Sequence, residues 1–228
     1  MYLEFGLFQN LISALVVIGL ISVFFTSLRR LQITGSARRT LLIEGALTLI
    51  IWIFVIFYWE KNELLSDFSY FHFIFLLLLM LVFAFWLAFS NLGLLLTKGL
   101  SLSELAGLQS FRILLNIALL FGAQQGLTSR ILTLSGWNFD LLTGISAFVL
   151  FFYGRQFSSA YILRTWNWVG LIFLVVFLAL IFKDQDSMLE NSRTFYISMS
   201  GFLLEAALIF HLIIFRKLKL DPRTNNLS

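Results

Sequence analysis

Residues 71–96 read FHFIFLLLLMLVFAFWLAFSNLGLLL, and this stretch decides the fold class. It contains no Asp, Glu, Lys or Arg. It is also longer than the roughly 20 apolar residues that a helix needs to cross the hydrocarbon core of a bilayer. The stretch therefore predicts a transmembrane helix.

Six further apolar stretches lie on either side of it and are joined by short connectors. Together the seven stretches take up most of the 228 residues and leave little sequence for a domain outside the membrane. The sequence predicts one all-α transmembrane domain, residues 1–228, folded as a seven-transmembrane-helix bundle. We place the spans at residues 5–26, 41–59, 71–96, 105–126, 137–153, 166–182 and 195–215.

The composition agrees with a membrane protein and excludes several other classes. Hydrophobic residues make up 60% of the chain and charged residues only 12%, which is too apolar for a surface that faces water. The lipid bilayer is therefore the expected partner. Cysteine is absent, which excludes disulfides, thiolate catalysis and iron–sulfur clusters. The net charge of +4 comes from basic residues beside apolar spans, so we expect no nucleic-acid partner.

The positions of the basic residues orient the predicted bundle. With the N-terminus outside, eleven Lys and Arg fall on the cytoplasmic side and four outside, while Arg112 lies within a span. Lysine and arginine resist translocation and accumulate on the cytoplasmic side, so we expect an outside N-terminus and a cytoplasmic C-terminus. The eleven are Arg29, Arg30, Arg38, Arg39, Lys98, Arg155, Arg164, Arg216, Lys217, Lys219 and Arg223; the four are Lys61, Arg130, Lys183 and Arg193.

Apart from Asp140 in the first turn of the fifth span, three charged residues lie inside predicted spans, namely Glu44, Arg112 and Glu205. A charge near the bilayer centre costs about 2.5 to 3.5 kcal/mol on insertion scales, so such residues usually face a partner or a wet cavity. The estimated depths of the three residues would let them meet in the cytoplasmic half of the bundle.

Polar residues reinforce this predicted cluster. Gln109, Arg112 and Asn116 recur at i, i+3 and i+7 on the fourth span, which places them on one helical face. Asn167 and His211 lie in the same cytoplasmic half of the predicted bundle. We expect this face to look inward.

The cluster has two interpretations. In the first, it is a substrate or ion site of a carrier or channel-like transporter, where Arg112 holds a small polar or anionic solute and a carboxylate titrates. This hypothesis predicts a water-accessible cavity that reaches the cluster. In the second, Arg112 pairs with Glu44 or Glu205 and the amides only join helices. The protein would then be a sensor or an assembly subunit, with a second copy or a membrane complex as partner.

A second polar motif opens the fifth span on the outer side, where residues 136–144 read GWNFDLLTG. Asn138 is a suitable helix cap, and Asp140 lies in the first turn, where the helix dipole favours an anion. If the spans run straight, Asp140 lies about 20 Å in depth from Arg112. We therefore do not expect the two to be partners.

These motifs together resemble one group of bacterial membrane proteins. They are Phe111-Arg112 through Asn116, Gly126-Leu127, and residues 132–144, LTLSGWNFDLLTG. In that group an arginine-bearing helix is followed by a threonine, a glycine and an Asn-Phe-Asp run that opens the next span. The resemblance implies no particular activity. It implies a multi-pass protein of the bacterial cytoplasmic (inner) membrane, with Arg112, Asn138 and Asp140 as site candidates.

Cofactor and enzyme signatures are not recognised in the sequence. All five lysines lie in connectors, so a retinal Schiff base within the seventh span is excluded. His72 and His211 fall toward opposite sides of the membrane, so we expect neither a paired-histidine haem nor a metal site. A nucleophilic serine needs an oriented base, and no such motif occurs. We therefore expect no catalytic residues and no cofactor.

Overall fold

The computed structural model of the chain describes residues 2–31, 33, 35–61, 70–126, 129–153, 160–183 and 202–220. Helices dominate, and these residues form no strand, which confirms the expected all-α class. Arg155, Arg193 and Arg223 lie outside the described residues, as does the beginning of the seventh predicted span. The helices are α1 Tyr2–Arg30, α2 Gly35–Lys61, α3 Tyr70–Phe89, α4 Asn91–Gly99, α5 Leu102–Leu108, α6 Phe111–Gln124, α7 Asp140–Tyr153, α8 Ala160–Lys183 and α9 Phe202–Leu220.

Two helical stretches in the described part are long and apolar enough to cross a membrane, Leu102–Gln124 and Ala160–Lys183. A third candidate is the pair Leu78–Phe89 and Asn91–Gly99, which is bent by 57°. Helix α7 is apolar but shorter. The described residues therefore contain two to three candidate membrane spans, and the count of seven stays a prediction.

The third predicted span is not one straight helix, because it breaks at Ser90. The Ser90 hydroxyl accepts a hydrogen bond from the Gly93 amide at 3.3 Å and so caps the start of α4. A break leaves backbone carbonyls without their helical donors, and carbonyls in an apolar interior need other partners. Arg216 of α9 supplies a donor to the Ala88 carbonyl at 2.8 Å, and it also donates at 3.1 Å to the Ser90 carbonyl, which accepts the Leu94 amide as well.

Helix α9 lies at the centre of the packing and contacts α3, α4, α5 and α8. Nearly all its side chains from Leu203 to Ile214 are buried. One apolar cluster joins α9 to α6 and α8 through residues such as Leu119 and Phe177. By contrast, α2 exposes large apolar side chains such as Ile50 and Phe54, which suits a lipid-facing surface.

The segment between α6 and α7 folds back into the bundle. Helix α6 ends before Gly126, which has a left-handed φ of 72° that glycine adopts readily. Two short 3₁₀ turns follow, Arg130–Leu132 and Leu134–Gly136. Leu132 is fully buried in the same apolar cluster as Leu119. The chain therefore enters the interior without α-helical structure, and α7 begins there at Asp140.

Candidate functional site: a buried arginine network

The network centres on Arg112 of α6, whose side chain is fully buried. Its Nε donates to Gln109 Oε1 at 3.0 Å, and its Nη1 lies 2.5 Å from Asp140 Oδ1. Nη1 also reaches the Gly170 carbonyl at 3.5 Å, and Nη2 lies 2.8 Å from His211 Nε2. One guanidinium thus joins the end of α5 to α7, α8 and α9.

The contact with Arg112 fixes the tautomer of His211. A guanidinium can only donate, so His211 Nε2 is the acceptor and the ring proton lies on Nδ1. Nδ1 donates to Asn167 Oδ1 at 2.7 Å, and Asn167 Nδ2 donates back to the His211 carbonyl at 3.1 Å. Gln109 is held in the same way, because its Nε2 donates to the Ala207 carbonyl at 3.0 Å. His211 is therefore neutral, and the network contains one positive and one negative charge.

Two asparagines place the beginning of α7 against the middle of α6. Asn116 Nδ2 donates to the Arg112 carbonyl at 2.9 Å, and Asn116 Oδ1 accepts from Asn138 Nδ2 at 3.0 Å. Asn138 Nδ2 also donates to the Leu132 carbonyl at 2.7 Å. Asn138 Oδ1 accepts from the Asp140 amide at 3.1 Å, which is the capping role expected of it. The bond to the Leu132 carbonyl thus satisfies backbone that lies outside the α-helices and is buried in the protein.

Glycines allow the surrounding helices to approach closely. A Cβ atom at Gly170 of α8 would lie 2.7 Å from His211 Cε1 and 2.9 Å from Thr143 Cγ2. A Cβ atom at Gly144 of α7 would lie 2.9 Å from the Ile113 amide nitrogen. These distances are too short for a Cβ atom, so the network depends on glycine at these two positions.

Two buried oxygen atoms of α7 have no hydrogen-bond partner among the described residues, namely Asp140 Oδ2 and Thr143 Oγ1. Asp140 is 1% exposed and Thr143 is 2% exposed. The two residues are three apart on one helix and therefore neighbours on its surface. Buried polar groups normally have hydrogen-bond partners. These two oxygen atoms are exceptions, and both lie on the part of α7 that contacts Arg112.

The structure brings together residues that the sequence placed apart. Gln109, Arg112, Asn116 and His211 of the predicted inner cluster meet Asn138 and Asp140 of the predicted outer motif. The expectation that Asp140 lies about 20 Å from Arg112 was wrong. It assumed a straight fifth span from residue 137, whereas residues 130–139 form no α-helix and carry the start of α7 into the bundle.

The expected partners of Arg112, Glu44 and Glu205, are not the observed ones. Among the described residues, the hydrogen bonds of the Arg112 side chain go to Gln109, Asp140, Gly170 and His211. Glu44 lies partly exposed on α2, and Glu205 is 5% exposed on α9. Asp140 replaces them because α7 begins close to the guanidinium.

Two residues of the site were not singled out from the sequence, Thr143 and Gly170. Thr143 follows Asp140 at i+3, so a search along the inward face of α7 would have found it. Gly170 contributes its carbonyl to Arg112 and lets α8 approach His211 and Thr143 closely. Neither role can be recognised from a single sequence. The side chain of His72 lies outside the part whose side chains are described.

Arg112 does not line either of two cavities that lie between described helices. One measures about 130 Å³ and lies between α1, α2, α3, α4 and α9. The other measures about 380 Å³ and lies between α1, α5 and α7, where Glu104, Gly107 and Phe151 line it. The side chains of the buried arginine network are themselves closed to solvent in the described conformation, since Arg112 and His211 are 0% exposed and Asp140 is 1% exposed.

The fold and the site define an all-helical protein with two to three candidate membrane spans and a buried arginine network. Comparison of the chain with family models, with curated proteins and with solved structures finds no match.

Proposed function

We propose that the chain crosses a bacterial cytoplasmic membrane seven times, with its N-terminus outside and its C-terminus in the cytoplasm. In this proposal it is a carrier or channel-like transporter of a small polar or anionic solute. The solute site is the buried arginine network, in a closed conformation.

The position of α7 supports a solute site. Helices α6 and α7 are antiparallel neighbours, so that Arg112 faces Gly144 while Asn116 meets Asn138. The start of α7 therefore lies beside the middle of α6. Half-length helices whose positive ends point into the membrane interior bind solutes and ions in many secondary transporters.

The energetics of the ion pair also support a functional role. Replacing a buried ion pair with apolar residues of similar volume is often neutral or stabilising, so packing alone is a weak reason for it. Ionisable residues inside a membrane are costly and commonly mark solute pathways or proton relays. Arg112 and Asp140, at 0% and 1% side-chain exposure, fit that description.

The observation that carries the proposal is the pair of oxygens without partners, Asp140 Oδ2 and Thr143 Oγ1. A carboxylate oxygen accepts hydrogen bonds, and a threonine hydroxyl both donates and accepts. A small polar solute with an N–H or O–H donor matches them directly. An anionic solute would instead compete with Asp140 for the guanidinium of Arg112.

The proposal requires a second conformation. The sequence-based hypothesis expected a water-accessible cavity at the cluster, whereas the side chains of Arg112 and Asp140 are 0% and 1% exposed in the described conformation. Alternating access needs such a closed state as well as open ones. Water must therefore reach Asp140 and Thr143 during part of the cycle.

The second candidate function is a sensor or an assembly subunit of a membrane complex. It is favoured by the complete burial of Arg112, whose guanidinium is bonded to four residues at once. In this case the network only joins helices, and water never reaches it.

Thiol labelling separates the two candidates, because the chain contains no cysteine and each substitution gives a single thiol. Thr143→Cys replaces one of the two oxygens, and Ala147→Cys places a thiol one turn further along α7, where the side chain is fully buried. Both variants are treated with a water-soluble methanethiosulfonate in membranes. The transport proposal expects modification at position 143 and none at position 147.

Ser101→Cys is the positive control, because Ser101 is exposed between α4 and α5. If the thiol at position 143 stays unmodified while that at position 101 reacts fully, the network is dry and transport through it is contradicted. Equal modification at positions 143 and 147 would indicate general opening of α7 and would also contradict a defined solute site.

A further inference from the structure

The apolar cavity between α1, α2, α3, α4 and α9 is separate from the buried arginine network. Leucine, isoleucine, valine and phenylalanine side chains form nearly all of its wall. Thr48 is its one hydroxyl residue, and that hydroxyl donates to the Glu44 carbonyl of its own helix at 2.8 Å. The Phe24 ring lies against Gly45, where a Cβ atom would be 2.8 Å from Phe24 Cζ. The cavity therefore offers apolar contact and almost no hydrogen bonds.

Three of the helices that line the cavity carry an arginine on the same face, seven positions from a lining residue. Residues seven apart share a helical face and are separated by about 10 Å along the axis. The pairs are Val23 with Arg30, Gly45 with Arg38, and Ile209 with Arg216.

The three arginines lie at one end of the bundle. Arg30 and Arg38 flank the short connection between α1 and α2. Arg30 Nη1 reaches the Gly99 carbonyl at 3.4 Å, and Lys217 Nζ donates to the Thr97 carbonyl at 2.6 Å, so the ends of α1, α4 and α9 meet.

The charge at this end is strongly positive. Nine basic residues lie there among the described residues, against two acidic ones. The basic residues are Arg29, Arg30, Arg38, Arg39, Lys98, Arg164, Arg216, Lys217 and Lys219; the acidic ones are Glu44 and Glu104.

We infer that this cavity binds one acyl chain of an anionic phospholipid whose phosphate lies among the arginines at its basic end. Lipid is the solvent around a membrane-inserted bundle, and a cavity without hydrogen-bonding groups suits hydrocarbon. Basic pockets between helices recognise anionic headgroups, and guanidinium groups bind phosphate oxygens well. Glu104 pairs with Arg30 at 2.7 Å, and a zwitterionic lipid or an uncharged apolar molecule would fill the cavity but would leave the remaining excess of positive charge at the basic end uncompensated. The inference rests on the proposed membrane insertion and is independent of transport.

Native mass spectrometry of the full chain in mild detergent tests this assignment. The probes are phosphatidylglycerol and phosphatidylcholine with identical acyl chains. We expect one phosphatidylglycerol to be retained per chain, at least about fivefold more tightly than phosphatidylcholine, because one basic residue near an anionic lipid contributes about that factor. Arg38→Gln changes an exposed side chain and should lower the affinity for phosphatidylglycerol about fivefold. Leu49→Trp fills the cavity and should abolish the single retained lipid.

Arg164→Gln is the matched control, because Arg164 is an exposed arginine on α8, which does not line the cavity. It should leave retention unchanged. Equal retention of the two lipids would overturn the inference. So would retention that Leu49→Trp leaves intact, since the lipid would then bind the basic surface alone. An equal loss with Arg164→Gln would likewise show unspecific charge attraction. Leu49→Trp is interpreted only after gel filtration shows a folded chain, and Arg38→Gln decides the charge claim by itself.

Discussion

Asp140→Asn is expected to destabilise the protein strongly, because it removes the negative charge that faces Arg112 and keeps the size of the side chain. The two side chains are 1% and 0% exposed and their atoms lie 2.5 Å apart. Removing one partner of a buried ion pair leaves an uncompensated charge and costs about 3 to 5 kcal/mol. Arg112→Gln should cost a similar amount for the same reason.

The double variant Arg112→Gln/Asp140→Asn contains no uncompensated charge. Its loss of stability should be smaller than the sum of the two single losses by about 3 kcal/mol. Reversible unfolding in mixed detergent micelles, followed by tryptophan fluorescence, gives the four free energies of the cycle.

The exposed ion pair Arg30–Glu104 is an internal control for this cycle. Its atoms lie 2.7 Å apart, and the two side chains are 48% and 28% exposed. Pairs of this kind contribute about 0.2 to 1 kcal/mol. If the coupling energy between Arg112 and Asp140 is no larger than that between Arg30 and Glu104, the buried pair has no special energetic role and the reasoning is refuted.

Three further predictions concern His211 and Gly170 of the network and the helix break at Ser90. Nitrogen-15 NMR of His211 should show a neutral ring protonated at Nδ1, and a doubly protonated ring would contradict the assignment. Gly170→Ala should lower the free energy of unfolding by about 1 to 3 kcal/mol, because its Cβ atom would overlap neighbouring side chains. Gly19→Ala, with nothing within 4 Å of the new atom, should cause no loss. Arg216→Met should cost about 1 to 3 kcal/mol in thermal or detergent unfolding, because it leaves the Ala88 carbonyl at the α3–α4 break without the guanidinium donor; an unchanged stability would refute that role.

Much of the helical structure could be predicted from the sequence, because long apolar stretches are a local property. Every predicted span overlaps a helix of the described residues. The break at Ser90 could not be predicted in this way. Its carbonyls are held by Arg216, which lies far along the chain, so the bend depends on a tertiary contact. A capping serine inside an apolar run was the one local signal for it.

The candidate site was predicted in part. The spacing of Gln109, Arg112 and Asn116 identified an inward polar face of the fourth predicted span, because a helix repeats every 3.6 residues. The partner of Arg112 was assigned wrongly, because depth was estimated along straight spans. Asp140 reaches Arg112 only because the segment before it turns inward, with Leu132 in the apolar core and Asn138 bonded to Asn116.

The pairing of Arg112 with Asp140 is the claim on which the site depends, and its most direct test is a distance measurement. Solid-state NMR in lipid bilayers can measure the dipolar coupling between the guanidinium nitrogens of Arg112 and the carboxylate carbon of Asp140. Direct contact, with Nη1 and Oδ1 2.5 Å apart, predicts strong dephasing. Straight spans would place the two groups about 20 Å apart in depth, so the absence of dephasing would contradict the account.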